Sequence, residues 1–357
     1  MRAARYYGQK DIRIEEVEEP QLQPGTVKIS LAYNGICGSD LHLYPDGPIP
    51  PAPSTTEPHP LSGETLPVVF GHEFSGTVEE VGEGVEGIEV GQSVAVEPLM
   101  VDGTCSACRK GKYNLCEQMG FIGISGRGGG LAEKIVVESR WVHPVGSIPL
   151  DQAAMIEPLA VAVHAVRHAG VPPRADEGTV AVVGGAGPIG LLTSAVLQAY
   201  GVATIVSEVS PERRTKAEES GVADVAVDPA SDDLAAIVRE RTDGAMADYA
   251  FDAAGVPVVL DQLFGVLGAG GRLEVVALHG QPYELDVTGS LTMQDRTLGS
   301  AIGYAHDHGE AIRLVQEGPV DLAPFITSQI VVDDIVEKGF ERLLEDRSEV
   351  KILVSMS

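Results

Sequence analysis

Runs of apolar and polar positions divide the chain into two styles. From residue 1 to about 155, short β-rich runs such as TVKISLAYNG (26–35), FSGTVEEVG (74–82) and SVAVEPL (93–99) are punctuated by glycine and proline, with no long helical period. That pattern predicts a largely β domain. AAMIEPLAVAVHAVRHAG (153–170) then reads as a helix, and GTVAVVGGAGPIGLLTSAVLQAYG (178–201) as a buried strand, a glycine turn and a long apolar helix. Strand-like TIVSEV (204–209), DVAVD (224–228), DYAFDAAG (248–255) and GRLEVVAL (271–278) follow, separated by helix-like SPERRTKAEESG (210–221) and VPVVLDQLFGVLGAGG (256–271). Such alternation predicts a parallel, doubly wound sheet and an α/β fold class. After about residue 300, HDHGEAIRLVQEG (306–318) precedes the short strands SQIVV (328–332) and KILVSM (351–356), a tail too small to fold alone and expected to pack on the N-terminal domain. The expected domains are 1–157 together with 301–357, and 158–300 between them.

Composition narrows the class. With 357 residues, 44% of them hydrophobic, the chain is long enough for two cores. The start, MRAARYYGQKDIRIEE, has no apolar run of the signal-peptide kind, and no stretch approaches the roughly 18 apolar residues of a membrane span, so a soluble cytoplasmic protein is expected. The 25 basic against 52 acidic residues give a formal charge of −27, which repels nucleic acid and anionic membranes. The same excess describes either a solvated surface or, as favoured here, a halophilic protein whose self-repulsion is screened by a salt-rich cytoplasm.

Candidate chemistry sits at three places. In VAVVGGAGPIG, Gly185, Gly187, Pro188, Ile189 and Gly190 follow a strand and open a helix, the context in which GxGxxG binds a dinucleotide pyrophosphate. Glu208, 18 residues beyond Gly190, stands where a carboxylate meets the adenosine ribose hydroxyls. Arg213 and Arg214 favour the 2′-phosphate of NADP instead, and the expectation remains NAD. Second, Cys37 of NGICGSDLH and His72 of VVFGHEFSG offer a thiolate and an imidazole, to which Glu73 or Glu157 adds a carboxylate, a donor set suited to catalytic zinc. Third, DGTCSACRKGKYNLC holds Asp102, Cys105, Cys108 and Cys116 at zinc-loop spacing, with aspartate in one of the four positions. A carboxylate is a legitimate zinc ligand, although "DG" also makes a turn in which Asp102 caps backbone N–H groups. A second, structural zinc is the favoured reading.

Gly71, His72, Glu73, Gly76, Gly82 and Val85 satisfy the G-H-E-x2-G-x5-G-x2-V signature, and at this point the sequence closely resembles the zinc-dependent medium-chain dehydrogenases over nearly its whole length. The resemblance implies a GroES-like β-rich catalytic domain, split in sequence around a Rossmann domain. It implies that Cys37, His72 and Glu157 are zinc positions, with Glu73 a neighbouring carboxylate able to ligate or exchange. Asp40 would then accept the ring N–H of His72, and Ser39 and His42 match the family's proton relay. Segments including GICGSDLHLYPDGPI, HPLSGETLPVVFGHEFSG and GKYNLCEQMGFIG look like the butanediol dehydrogenases of that family, implying NAD-linked oxidation of a secondary alcohol in a vicinal diol and a homodimer or homotetramer. Sorbitol, threonine and glucose dehydrogenases share the same elements. A nucleotide-binding protein without catalysis is the reading from another class. The proline-rich LYPDGPIPPAPSTTEPHPLSGETLP (43–67) is expected as either a lid or a solvent loop.

Overall fold

The structure, a computed structural model, describes residues 1–356. Contacts divide it into two compact units. One contains Met1–Glu157, Ala311–Gln316 and the residues from Leu322 on, the other Pro158–Glu310 and Glu317–Asp321.

In the first unit Val142–Pro144, Ser93–Val96, Glu73–Val81, Thr26–Gly35, Lys351–Ser355 and Ile326–Val331 lie side by side, and Lys134–Glu138 also pairs with Thr26–Gly35. Thr26–Gly35 is central because TVKISLAYNG offers apolar side chains along its whole length: Val27, Ile29 and Leu31 join Phe74, Val78, Val94 and Trp141 in one core. A second core gathers Ile36, Phe70, Phe340, Ile352 and Val354. Burying each of these large side chains is worth about 1.5–3 kcal/mol. The hairpin Arg2–Gly8/Asp11–Glu16 also forms. Its turn is built on the left-handed Lys10 rather than on an Asn-Gly pair, so it carries little sequence signal.

The second unit is a parallel sheet with strands in the spatial order Val225–Val227, Ala203–Ser207, Val180–Gly184, Ala247–Asp252, Leu267–Val275, Thr297–Ser300. Chain order therefore reverses between Val180–Gly184 and Ala247–Asp252. Val182, Ile205, Val227, Ala250, Leu263 and Leu273 form its core. The apolar run 256–271, read as one helix, divides: helix Pro257–Val266 passes directly into strand Leu267–Val275. Arg296 stabilises the break, its guanidinium donating to the carbonyls of Phe264, Leu267 and Gly268 that a longer helix would have satisfied internally.

Candidate functional site

Strand pairing brings Cys37 and His72 together. Gly35 is the register partner of Glu73 in the Thr26–Gly35/Glu73–Val81 ladder, so the residues just past the end of one strand and just before the start of the other share one corner. Asp40, fully buried at the start of helix Asp40–Asp46, spans them: Oδ2 accepts the Cys37 N–H at 3.0 Å, and Oδ1 lies 3.2 Å from His72 Nδ1, oriented as an ion pair rather than an aligned hydrogen bond. Ser39 Oγ is 3.2 Å from the other ring nitrogen, Nε2, and Phe121 packs against the imidazole with ring centroids 6.0 Å apart. His42 stands exposed one turn along, its N–H on the Ser39 carbonyl at 3.2 Å. Burial pulls the His72 pKa down, but the charges of Asp40 and Cys37 outweigh it and hold the pKa well above the ordinary histidine value. This corner favours a cation.

Glu73 is not free beside it. Both of its oxygens accept from Lys351 Nζ, at 2.8 and 2.6 Å, in a pair whose side chains are each only 1% exposed. Lys351 also donates to the Ile36 carbonyl at 3.0 Å. A side chain at position 35 would collide with the Glu73 carboxylate, so glycine there is what lets the pair form. Burial lowers the Lys351 pKa, yet the charges of Glu73, Cys37 and Glu157 raise it overall. With Cys37 as a thiolate, these three groups leave an excess of two negative charges over Lys351, which a divalent ion would neutralise. No carboxylate joins Cys37 and His72 in a set of donors all within 4.8 Å of one another, among the described residues. Sequence reasoning missed Lys351. Its only signal was a lysine opening an otherwise apolar strand.

Asp102, Cys105, Cys108 and Cys116 do form such a set, all four donors within 4.8 Å. Asp102 Oδ1 at the same time accepts the N–H groups of Thr104 and Cys105 at 2.6 and 2.8 Å, bonds that hold its pKa down to about 2. Capping the turn and facing the thiols are therefore compatible. Burial pushes the Cys108 thiol up to about 12, and a bound cation is what would offset that cost.

The proline-rich segment belongs to this unit and is tethered rather than loose. Ser125 Oγ donates to the Pro51 carbonyl at 2.9 Å, Ser62 Oγ to the Ser125 carbonyl at 2.6 Å, and Glu64 accepts the Arg127 N–H at 2.6 Å. It is thereby tied to residues 121–127, which carry the Phe121 that packs on His72.

In the second unit, the three glycines of the turn have three different reasons to be glycine. Gly185 has φ +99° and faces Ala253 and Ala254, a Cβ on Gly187 would meet nothing within 4 Å, and one on Gly190 would strike the Gly185 carbonyl. Tight turn, open approach and close packing are the roles a pyrophosphate-binding turn requires. Pro188 begins the helix Pro188–Ala199, with Ile189 beside it. Glu208 differs from a free ribose acceptor: Oε2 takes the Ala186 N–H and Oε1 the Ser210 N–H, both at 2.8 Å. It fixes the glycine turn, and each oxygen retains a second lone pair. Arg214 is committed to the Glu208 carbonyl at 2.7 Å and to Asp228 at 3.1 Å, while Arg213 donates its N–H to Ser210 Oγ.

Comparison with known proteins agrees with this layout. Residues 23–147 match the alcohol dehydrogenase GroES-like domain and 188–317 the zinc-binding dehydrogenase domain. The chain is 48% identical to an (R,R)-butanediol dehydrogenase of Neisseria gonorrhoeae and 43% identical to one of Bacillus subtilis, in each case over 99% of both chains. The crystal structure of the 2R,3R-butanediol dehydrogenase from Bacillus subtilis superposes with a TM-score of 0.91 over 100% of this chain and 99% of that one, at 42% identity. The chain belongs to the zinc-binding alcohol dehydrogenases, enzymes that join a GroES-like domain to a Rossmann domain.

Proposed function

We propose that the protein catalyses the reversible, zinc-dependent and NAD-linked oxidation of a secondary alcohol in a vicinal diol, 2,3-butanediol to acetoin. The observation that carries the reading is end-to-end 48% identity to an (R,R)-butanediol dehydrogenase, supported by the cation-favouring corner of Cys37, His72 and Asp40. Cys37, His72 and Glu157 would hold the catalytic zinc. Glu73 is the weaker candidate because Lys351 engages both of its oxygens. When bound, zinc supplies Lewis acidity toward the alcohol oxygen and NAD supplies the hydride acceptor. Asp40 holds the His72 ring in one orientation. Ser39 Oγ would take the hydroxyl proton while handing its own on towards exposed His42, which exchanges protons with solvent. Gly185, Gly187, Pro188, Ile189 and Gly190 receive the pyrophosphate, with Glu208 and Arg213 bordering the adenosine ribose.

Asp102, Cys105, Cys108 and Cys116 hold a second, structural zinc in this reading. All four cysteines are unpaired by disulfides, as a reducing cytoplasm would keep them. Association of like chains is supported by the edge strand Thr297–Ser300, which among the described residues has a neighbour on one side only and carries exposed Leu298 with exposed Ile302 nearby. The test is turnover with NAD and NADP in concentrated KCl, using separated butanediol stereoisomers, acetoin, sorbitol, threonine and glucose. A butanediol isomer with NAD should give the highest kcat/KM; sorbitol outrunning every isomer overturns the substrate.

A further inference from the structure

Dinucleotides lie across the carboxyl ends of strands where the strand order reverses, here between Val180–Gly184 and Ala247–Asp252. One bank is the glycine turn. The other is built on Asp252, the fully buried last residue of its strand. Asp252 Oδ1 accepts the N–H groups of Ala254 and Gly255 at 3.0 and 3.1 Å, and its carbonyl accepts those of Val276 and Ala277 at 2.9 and 3.0 Å. The banks touch through Ala253, whose N–H donates to the Gly184 carbonyl at 2.9 Å. Asp252 Oδ2 has another partner, His279 Nε2, at 2.6 Å. His279 lies four residues beyond the end of the neighbouring strand, Leu267–Val275, so a carboxylate from one strand end orients an imidazole from the next.

With Nε2–H given to the carboxylate, Nδ1 of a neutral imidazole is an acceptor. It is buried and has no hydrogen-bond partner. Every other polar contact around Asp252 is made, and native structures rarely leave such an atom without a reason. The half of the dinucleotide that would meet it follows from strand order. Glu208 directly follows strand Ala203–Ser207 on one flank of Val180–Gly184, the flank that takes the adenosine ribose; Asp252 and His279 stand on the opposite flank.

Resting on the dinucleotide-binding reading above, we infer that His279 binds the nicotinamide half of the cofactor, its Nδ1 accepting a hydrogen bond from a ribose hydroxyl. Asp252 is a positioning residue that holds the tautomer in which Nδ1 can accept. Leu278, the residue before His279 in the chain, is highly exposed.

His279→Gln keeps a donor for Asp252 and removes the acceptor at Nδ1. NADH affinity, read by nucleotide fluorescence, should fall about tenfold, the loss expected for one buried hydrogen bond. Affinity for AMP, which lacks the nicotinamide half, should be unchanged, as should the melting temperature. Asp252→Asn can donate to Nε2, so that the proton moves to Nδ1 and the acceptor is lost with the ring in place. It should reproduce the selective loss, and it decides the matter if the glutamine variant does not fold. Wild-type NADH affinity in a folded variant, or equal weakening of NADH and AMP, overturns the inference. Failure of the wild-type protein to bind NADH would instead overturn the dinucleotide reading and this inference with it.

Discussion

The Lys351–Glu73 pair puts a fixed positive charge near the Cys37 thiol and a second glutamate, Glu157, at a site where both side chains of the pair are buried. Breaking one side of such a pair leaves a bare buried charge, which costs about 3–5 kcal/mol, whereas replacing both partners by apolar or neutral groups is close to neutral. Lys351→Met should therefore lower the melting temperature sharply, and adding Glu73→Gln should recover most of the loss; a single variant that melts with the wild type would show the pair to be idle. His72→Ala is a different case, since it removes a proposed ligand. Metal analysis should find one zinc fewer per chain, turnover should be lost, and NADH affinity should be retained. Cys37 and His72 could be singled out in the sequence because GHE sits at fixed intervals from two later glycines and because Cys37 is the one cysteine outside a cluster. Lys351 was not legible. It meets Glu73 across 278 residues of sequence, and the meeting depends on two strands pairing with opposite edges of Thr26–Gly35, which no local pattern encodes.

Elements that bury one continuous apolar face were readable as elements: Val180–Gly184 with its glycine turn and helix, and the strands that flank it. What periodicity does not carry is how their ends are satisfied. Glu208 is the clearest instance: just past the end of strand Ala203–Ser207, each of its oxygens holds a backbone N–H, so that it tightens the glycine turn beside its proposed part in ribose binding. Glu208→Ala should weaken NAD binding at least tenfold without creating NADP preference, because Arg214 is already held by the Glu208 carbonyl and Asp228. Titration of both nucleotides checks this, and a switch to NADP would refute it. The edge strand Thr297–Ser300 went unread for the opposite reason: TLGS has no buried residue and so no buried face to alternate. In the cysteine loop the spacing was legible, and that Asp102 caps the turn while facing the three thiols was not. Asp102→Ala removes a proposed ligand and the acceptor of two N–H groups at once, so zinc content should fall from two per chain to one while the diol reaction persists.

Charge governs the molecule at its largest scale. With a formal charge of −27, repulsion between acidic groups opposes compaction, and its range contracts from about 10 Å in 0.1 M salt to about 3 Å at 1 M. The melting temperature should rise as KCl goes from millimolar to molar, and an unchanged value would mean that the acidic groups are merely solvated. The same repulsion acts between copies, which links stability to assembly. If the edge of Thr297–Ser300 joins two chains, apolar contact by Leu298 and Ile302 has to overcome two strongly like-charged surfaces, and screening removes that barrier without touching the apolar term. Sedimentation should therefore show association strengthening with KCl. Leu298→Glu, which adds a charge at the seam and removes apolar area, should shift the midpoint to higher salt. A protein that stays monomeric at every salt concentration leaves this edge without a partner copy, and a midpoint unmoved by Leu298→Glu puts the interface elsewhere.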